Sequence, residues 1–177
     1  MATLVLTAIG EDRPGLVTAM SDLVAEHGGN WEESRMAELA GKFAGIVLVT
    51  VPDEHAEALV AALSTLRARG LLDVHAEQGG ERRLAGATEM VLELVGSDRP
   101  GIVREISGVL ASLGVSIEEL STSTQEAPMA GGTIFEARAV LSLPAGADLD
   151  EVRAALEAVA DELMVDLALP SASGSDS

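Results

Sequence analysis

The stretch Gly10-Glu11-Asp12-Arg13-Pro14-Gly15-Leu16-Val17 returns 86 residues later as Gly96-Ser97-Asp98-Arg99-Pro100-Gly101-Ile102-Val103. This duplication restricts the possible folds more than any bulk property. Residues 5–33 match residues 91–119 at 13 of 29 positions, including Val5, Leu6, Ser21, Ala25, Gly28, Glu32 and Glu33 of the first copy. Further along, Phe43/Phe135 and Pro52/Pro144 are displaced by 92, so the second copy carries six extra residues. The turn between the second and third extended segments is where they are expected. A 177-residue chain with such a repeat reads as two small domains rather than one. The expected boundaries are 1–78, a linker over 79–88, a second domain over 89–169, and a disordered polar tail over 170–177.

Each copy opens with a short apolar run, residues 4–9 and 90–95, that suits a buried strand. After the turn the spacing becomes helical. Leu16, Met20, Leu23, Val24 and His27 share one stripe, as do Ile102, Ile106, Val109, Leu110 and Leu113, and Gly28 and Gly114 end the helices. Extended segments follow over 30–39 and 43–51, and over 115–125 and 134–143. Second helices begin near Asp53 and at Asp148, where Asp148 and Glu151 are spaced as a capping box. Last strands are expected over 71–77 and 163–169. The order strand, helix, strand, strand, helix, strand predicts an α+β fold. Each copy forms a ferredoxin-like βαββαβ sandwich, with an antiparallel four-stranded sheet and both helices on one face.

Composition matters mainly for what it excludes. With 29 acidic and 11 basic residues the net charge is −18, which disfavours direct nucleic-acid binding. The chain has no cysteine, which removes thiolate chemistry, and its three histidines lack metal-ligand spacing. No metal and no cofactor are expected. No signal peptide is indicated at the start, and no apolar run approaches the roughly 20 residues that span a bilayer. A cytoplasmic protein without membrane contact is expected.

The repeated turn has a plausible chemistry. The first turn of a helix presents N–H groups without intrahelical partners, and the helix dipole adds positive potential there. A carboxylate is a natural ligand for such a place. Gly15 and Gly101 leave room for close approach, and Pro14 and Pro100 are expected to pre-set the backbone at the helix start.

The element order, the Asp-Arg-Pro-Gly turn and the Asn30-Trp31-Glu32-Glu33-Ser34-Arg35 stretch resemble ACT domains, small-molecule-sensing modules of amino-acid metabolism. The tandem arrangement is similar to the glycine cleavage system transcriptional repressor group. The resemblance implies an amino acid bound at an interface between two modules, contacted by this turn and by the residue that begins the second strand. Those positions are Gly10, Asp12, Arg13, Pro14, Gly15 and Asn30, and in the second copy Gly96, Asp98, Arg99, Pro100, Gly101 and Ser116. Asn30 can both donate and accept, which suits an amino acid; Ser116 departs from that pattern.

Structural readings stand beside these. Asp12 and Asp98 are equally suited to capping helices, and Arg13 and Arg99 to pairing with a neighbouring acid. Adjacent Glu32 and Glu33 are expected on opposite sheet faces, as are Glu118 and Glu119, which argues against acid/base pairs. Trp31 and Ile117 read as core or interface. The leading expectation is a non-catalytic regulatory protein that senses a small amino acid, glycine or serine first. It would act as a homo-oligomer through a protein partner. The alternatives are an assembly module without ligand, and a regulatory relative of the folate hydrolases that carry ACT modules.

Overall fold

The computed structural model describes residues 1–80, 87–129 and 131–170, which form two compact units divided between 80 and 87. The first unit runs β1 (Ala2–Glu11), α1 (Leu16–Glu26), β2 (Asn30–Leu39), β3 (Lys42–Val51), a 3-10 turn leading into α2 (Ala56–Ala68), and β4 (Asp73–Gln78). The second runs β5 (Thr88–Ser97), α3 (Ile102–Ser112), β6 (Ser116–Glu126), β7 (Thr133–Leu143), α4 (Leu149–Leu163) and β8 (Val165–Ala168). Their sheets have matching strand orders, β2-β3-β1-β4 and β6-β7-β5-β8, with every pair antiparallel. Both units are ferredoxin-like βαββαβ folds. Most of the expected linker and tail, residues 81–86 and 171–177, lies outside the described residues. Thr88 already belongs to β5 rather than to a linker.

Strand alternation and helical stripe meet in each core. Leu4, Leu6 and Ala8 of β1 and Val47, Val49 and Val51 of β3 point to one side of the sheet, where Leu16, Met20 and Val24 of α1 and Leu59, Leu63 and Leu66 of α2 cover them. The second unit repeats this with Leu92, Leu94, Leu141 and Leu143 under Ile102, Ile106, Leu110, Val152 and Leu156. Full burial of such side chains contributes about 1.5–3 kcal/mol each relative to exposure, which fixes the face each helix presents.

The helix ends follow the expected signals with one exception. Gly28 and Gly114 take left-handed conformations (φ 71° and 69°) just after α1 and α3, and Gly70 does so after α2 with φ 67°. Asp148 caps α4 by accepting from the backbone N–H groups of Asp150 and Glu151. At the far end of α4, however, the left-handed cap is Met164 (φ 55°, ψ 41°), so the helix runs through Leu163, where a strand was expected. No glycine marked that stop. In the first unit Leu71 and Leu72 likewise precede β4 rather than begin it, although Leu72 is buried.

The six extra residues of the second copy are divided. Residues 40–41 join β2 to β3 as a two-residue hairpin with both φ values positive (51° and 81°), as a type I′ turn requires. The connection from β6 to β7 is longer, and β6 and β7 each have 11 residues against 10 in β2 and β3.

Candidate ligand-binding site

The two Asp-Arg-Pro-Gly turns adopt the same geometry. Gly15 (φ 92°, ψ 1°) and Gly101 (φ 99°, ψ −5°) are the N-caps of α1 and α3. These angles match the third position of a type II turn, where glycine is favoured and where the preceding proline suits the second position. Pro14 and Pro100 therefore stand ahead of the helix, not in its first turn. The capping role considered for Asp12 and Asp98 is corrected by the same geometry. The glycines hold the cap position, and no side chain bonds there. The aspartates are held instead by their backbones, Asp12 N–H donating to the Gly41 carbonyl (2.9 Å) and Asp98 N–H to that of Thr133 (2.8 Å). Each bond carries the central strand pairing one step further.

The first intrahelical bond of α1 runs from Ala19 N–H to the Gly15 carbonyl (2.9 Å), and that of α3 from Glu105 N–H to the Gly101 carbonyl (2.9 Å). The N–H groups of Leu16, Val17 and Thr18, and of Ile102, Val103 and Arg104, thus precede the helical ladder. In the first unit they adjoin an open depression of about 130 Å³ lined by Asp12, Arg13, Gly15, Leu16, Thr18 and Phe43, among others. A Cβ added to Gly15 or Gly101 would meet no atom within 4 Å, so the positive φ, not crowding, demands glycine there.

Gly10 and Gly96 answer to crowding. A Cβ on Gly10 would lie 2.3 Å from the Leu71 carbonyl oxygen, and one on Gly96 2.6 Å from Cγ1 of Val165. Both glycines let the central strand pass the chain that leads out of the second helix. The arginines are drawn to the same region. Arg13 donates through Nη2 to the Gly70 carbonyl (2.5 Å), and Arg99 to that of Glu162 (3.4 Å). A cation at the carbonyl end of a helix is favoured by the helix dipole and by its unpaired acceptors. The pairing is thus with backbone carbonyls rather than with an acidic side chain.

Asn30 and Ser116 sit at the other end of their sheets. Asn30 is paired with Thr50 on β3, whereas Gly10 is paired with Phe43, seven residues away along that strand. At about 3.3 Å per residue this is about 23 Å. Ser116, opposite Ser142, stands in the same relation to Gly96, opposite Phe135. Each unit thus brings Gly10, Asp12, Arg13, Pro14 and Gly15, or Gly96, Asp98, Arg99, Pro100 and Gly101, into one turn, and keeps Asn30 or Ser116 apart from it.

At Asn30 the chain contains a feature that side-chain alternation conceals. The β2–β3 register shifts between Trp31 and Glu33, so Glu32 is an extra, bulged residue, and Glu118 repeats this between Ile117 and Glu119. Alternation across the strand does not apply at this point. Glu32 Oε1 accepts from Asn30 Nδ2 (2.9 Å) and Thr50 Oγ1 (2.8 Å). The Asn30 bond first, then the Thr50 bond, hold its carboxyl below the ordinary 4.5. Glu33 Oε1 accepts from Arg35 Nη1 (2.6 Å). Thr50 was not visible as a site residue in the sequence; its only signal is its place opposite Asn30, which requires the register.

Both halves of the chain match models described as ACT domain, the first over residues 2–77 and the second over residues 90–161. The chain belongs to the ACT domain family, with two modules in tandem. It is 28% identical to the glycine cleavage system transcriptional repressor of Escherichia coli K12 over 164 residues, 90% of this chain and 85% of that protein. The repressor of the same name from Shigella flexneri matches equally. Among solved structures, an unknown protein from Galdieria sulphuraria superposes with a TM-score of 0.84 at 33% identity, covering 95% of this chain and 96% of the other.

Proposed function

We propose that this chain is a non-catalytic regulatory protein that binds a small amino acid, glycine or serine first, and passes the signal to a protein partner. The observation that carries this reading is the doubled helix-start turn, with N–H groups outside the helical ladder that in the first unit adjoin an open depression. Those donors suit the ligand carboxylate. Asn30 lies about 23 Å from its own turn at about 3.3 Å per residue, so one small ligand touches both elements only where the turn of one ACT module meets the second-strand start of another. Binding would then favour one mutual arrangement of modules, and a partner sensitive to that arrangement reads the difference. The similarity to proteins named as repressors of the glycine cleavage system supports a regulatory role. The charge of −18 supports a protein-mediated route rather than direct contact with nucleic acid.

The test is thermal unfolding of the full chain in the presence of each common amino acid. A ligand at about 100 times its Kd adds about 2.7 kcal/mol of apparent stability by mass action, so glycine or serine raises Tm while most others do not. An unchanged Tm with every amino acid at millimolar concentration rejects the reading.

An assembly role is favoured by a separate observation. β2 and β6 are edge strands of 10 and 11 residues, exposed along most of their length. Long open edges invite pairing with another chain, and a homo-oligomer would cover them. Sedimentation of the ligand-free chain as a monomer at micromolar concentration rejects that role.

A further inference from the structure

A protein partner needs a surface, and the two edge strands offer one unequally. Both β2 and β6 lie at the margin of their sheets, so each turns one row of N–H and C=O groups away from the fold. The first edge is defended by charge. Glu32, Glu33, Arg35 and Glu38 are four of the ten residues of β2, and on its helix side Trp31 and Met36 pack against the core. By register, Ile117, Leu120 and Thr122 of β6 stand where β2 has Trp31, Ser34 and Met36. Ile117 and Leu120 are 38% and 47% exposed. With Val103 of α3 they border the apolar cavity of about 20 Å³, space for a methyl-sized group. Residues 120–125 carry no charge at all. Charge lies instead on the sheet face away from the helices, where the pairing sets Glu93, Glu119 and Glu136 around the single cation Arg138.

We infer that β6 is the docking edge for a protein partner, which adds a strand of alternating aliphatic and basic residues beside residues 120–125. Neighbouring strands lie about 4.8 Å apart, so the aliphatic side chains of the added strand would cover Val103, Ile117 and Leu120. Its basic side chains, pointing the other way, would face Glu93, Glu119 and Glu136. Main-chain hydrogen bonds supply affinity in such strand addition, and alternate side chains supply selectivity. A second copy of β6 fits less well, because it brings the same acids to the junction in a chain of net charge −18. This deepens the partner half of the reading above and rests on it only for the existence of a partner.

The probe is a short capped peptide in which valine and lysine alternate, labelled for fluorescence anisotropy and titrated with the full chain at physiological ionic strength. It should bind about tenfold more tightly than a peptide with the same residues in separate blocks, and about tenfold more tightly than one with glutamate for lysine. Leu120→Asp adds an acid, which by charge alone would favour the basic peptide. It should nevertheless weaken binding about fivefold with an unchanged circular-dichroism spectrum, whereas Ser34→Asp on β2 changes it less than about twofold. Hydrogen exchange locates the contact: the alternating peptide should slow the amides within residues 120–125 and leave those of β2 alone. Equal affinity for the alternating and block peptides, a Leu120→Asp chain that binds as tightly, or protection confined to β2 overturns the assignment while leaving amino-acid sensing in place. A dimer in which residues 120–125 are already protected makes a second copy the occupant and overturns it as well. An unchanged Tm with every amino acid rejects sensing instead, and leaves the peptide result standing.

Discussion

The first module and the second share the backbone geometry of their turns and differ where the second strand begins. In one, Asn30, Glu32 and Thr50 are tied by two hydrogen bonds, and Trp31 packs its partly buried ring against the core. In the other, serines replace Asn30 and Thr50, and Ile117 replaces Trp31 with 38% of its surface exposed. Ile117, Leu120, Val103 and Phe135 there border a small apolar cavity of about 20 Å³. Duplication preserved the element that the fold needs twice. At the strand start the bulged glutamate is also kept, as Glu32 and Glu118, whereas Asn30, Trp31 and Thr50 become Ser116, Ile117 and Ser142. The difference shows that a repeated backbone need not repeat the side-chain hydrogen bonds built on it.

Substitutions at paired positions probe this comparison. The largest effect is expected at Gly10, where an alanine Cβ would press on a backbone carbonyl. Gly10→Ala should cost about 2–3 kcal/mol, within the range of overpacked interiors. Gly96→Ala, which first meets a valine methyl, should cost about 1 kcal/mol less. Urea denaturation of each variant measures both, and equal losses would show that the two turns are supported identically. Trp31→Ile should follow at about 1–2 kcal/mol, since a large but only partly buried side chain is truncated. The same method checks it, and a loss below about 0.5 kcal/mol would remove Trp31 from the first core.

Arg13→Met should cost less than about 1 kcal/mol, as expected for an exposed cation at a helix end. Arg99→Met, whose contact is longer, should cost less still, and high salt should shrink both differences. Identical values in low and high salt would show that neither arginine acts through its charge. The smallest effect is on ionisation. Because the folded pKa of Glu32 is depressed, its bonds to Asn30 and Thr50 favour the fold above the ordinary carboxyl value and are lost as pH falls through the lowered pKa. Thr50→Val should move that pKa back towards 4.5, read from the carboxyl resonance of Glu32 during an NMR pH titration. An unmoved titration would break the proposed link between Thr50 and Glu32.

Much of the architecture was legible in the sequence because it rests on periodicity and on glycine. Strand alternation, helical stripes and the stops at Gly28 and Gly114 all carry a local chemical signature. The end of α4 did not, since Met164 adopts the left-handed conformation without being glycine. The turn was legible as a unit, but the division of labour inside it was not. Gly10 is required by a carbonyl more than 60 residues away in sequence and Gly15 by its own φ, and neither reason can be read from a Gly-x-Asp-Arg-Pro-Gly string. The same holds for Glu32. Its bulge and its bond to Thr50 depend on strand register, a non-local property that single-strand alternation misjudged.

The central proposal is that a small amino acid binds with its carboxylate at a helix-start turn of an ACT module. The most direct measurement is the amide NMR spectrum of the full chain during titration with glycine or L-serine. Saturable shifts are predicted for Leu16, Val17 and Thr18 or their counterparts Ile102, Val103 and Arg104, together with shifts around Asn30. The residues around Ser116 should respond less. A spectrum that stays unchanged, or that shifts only around Ser116, would contradict the account.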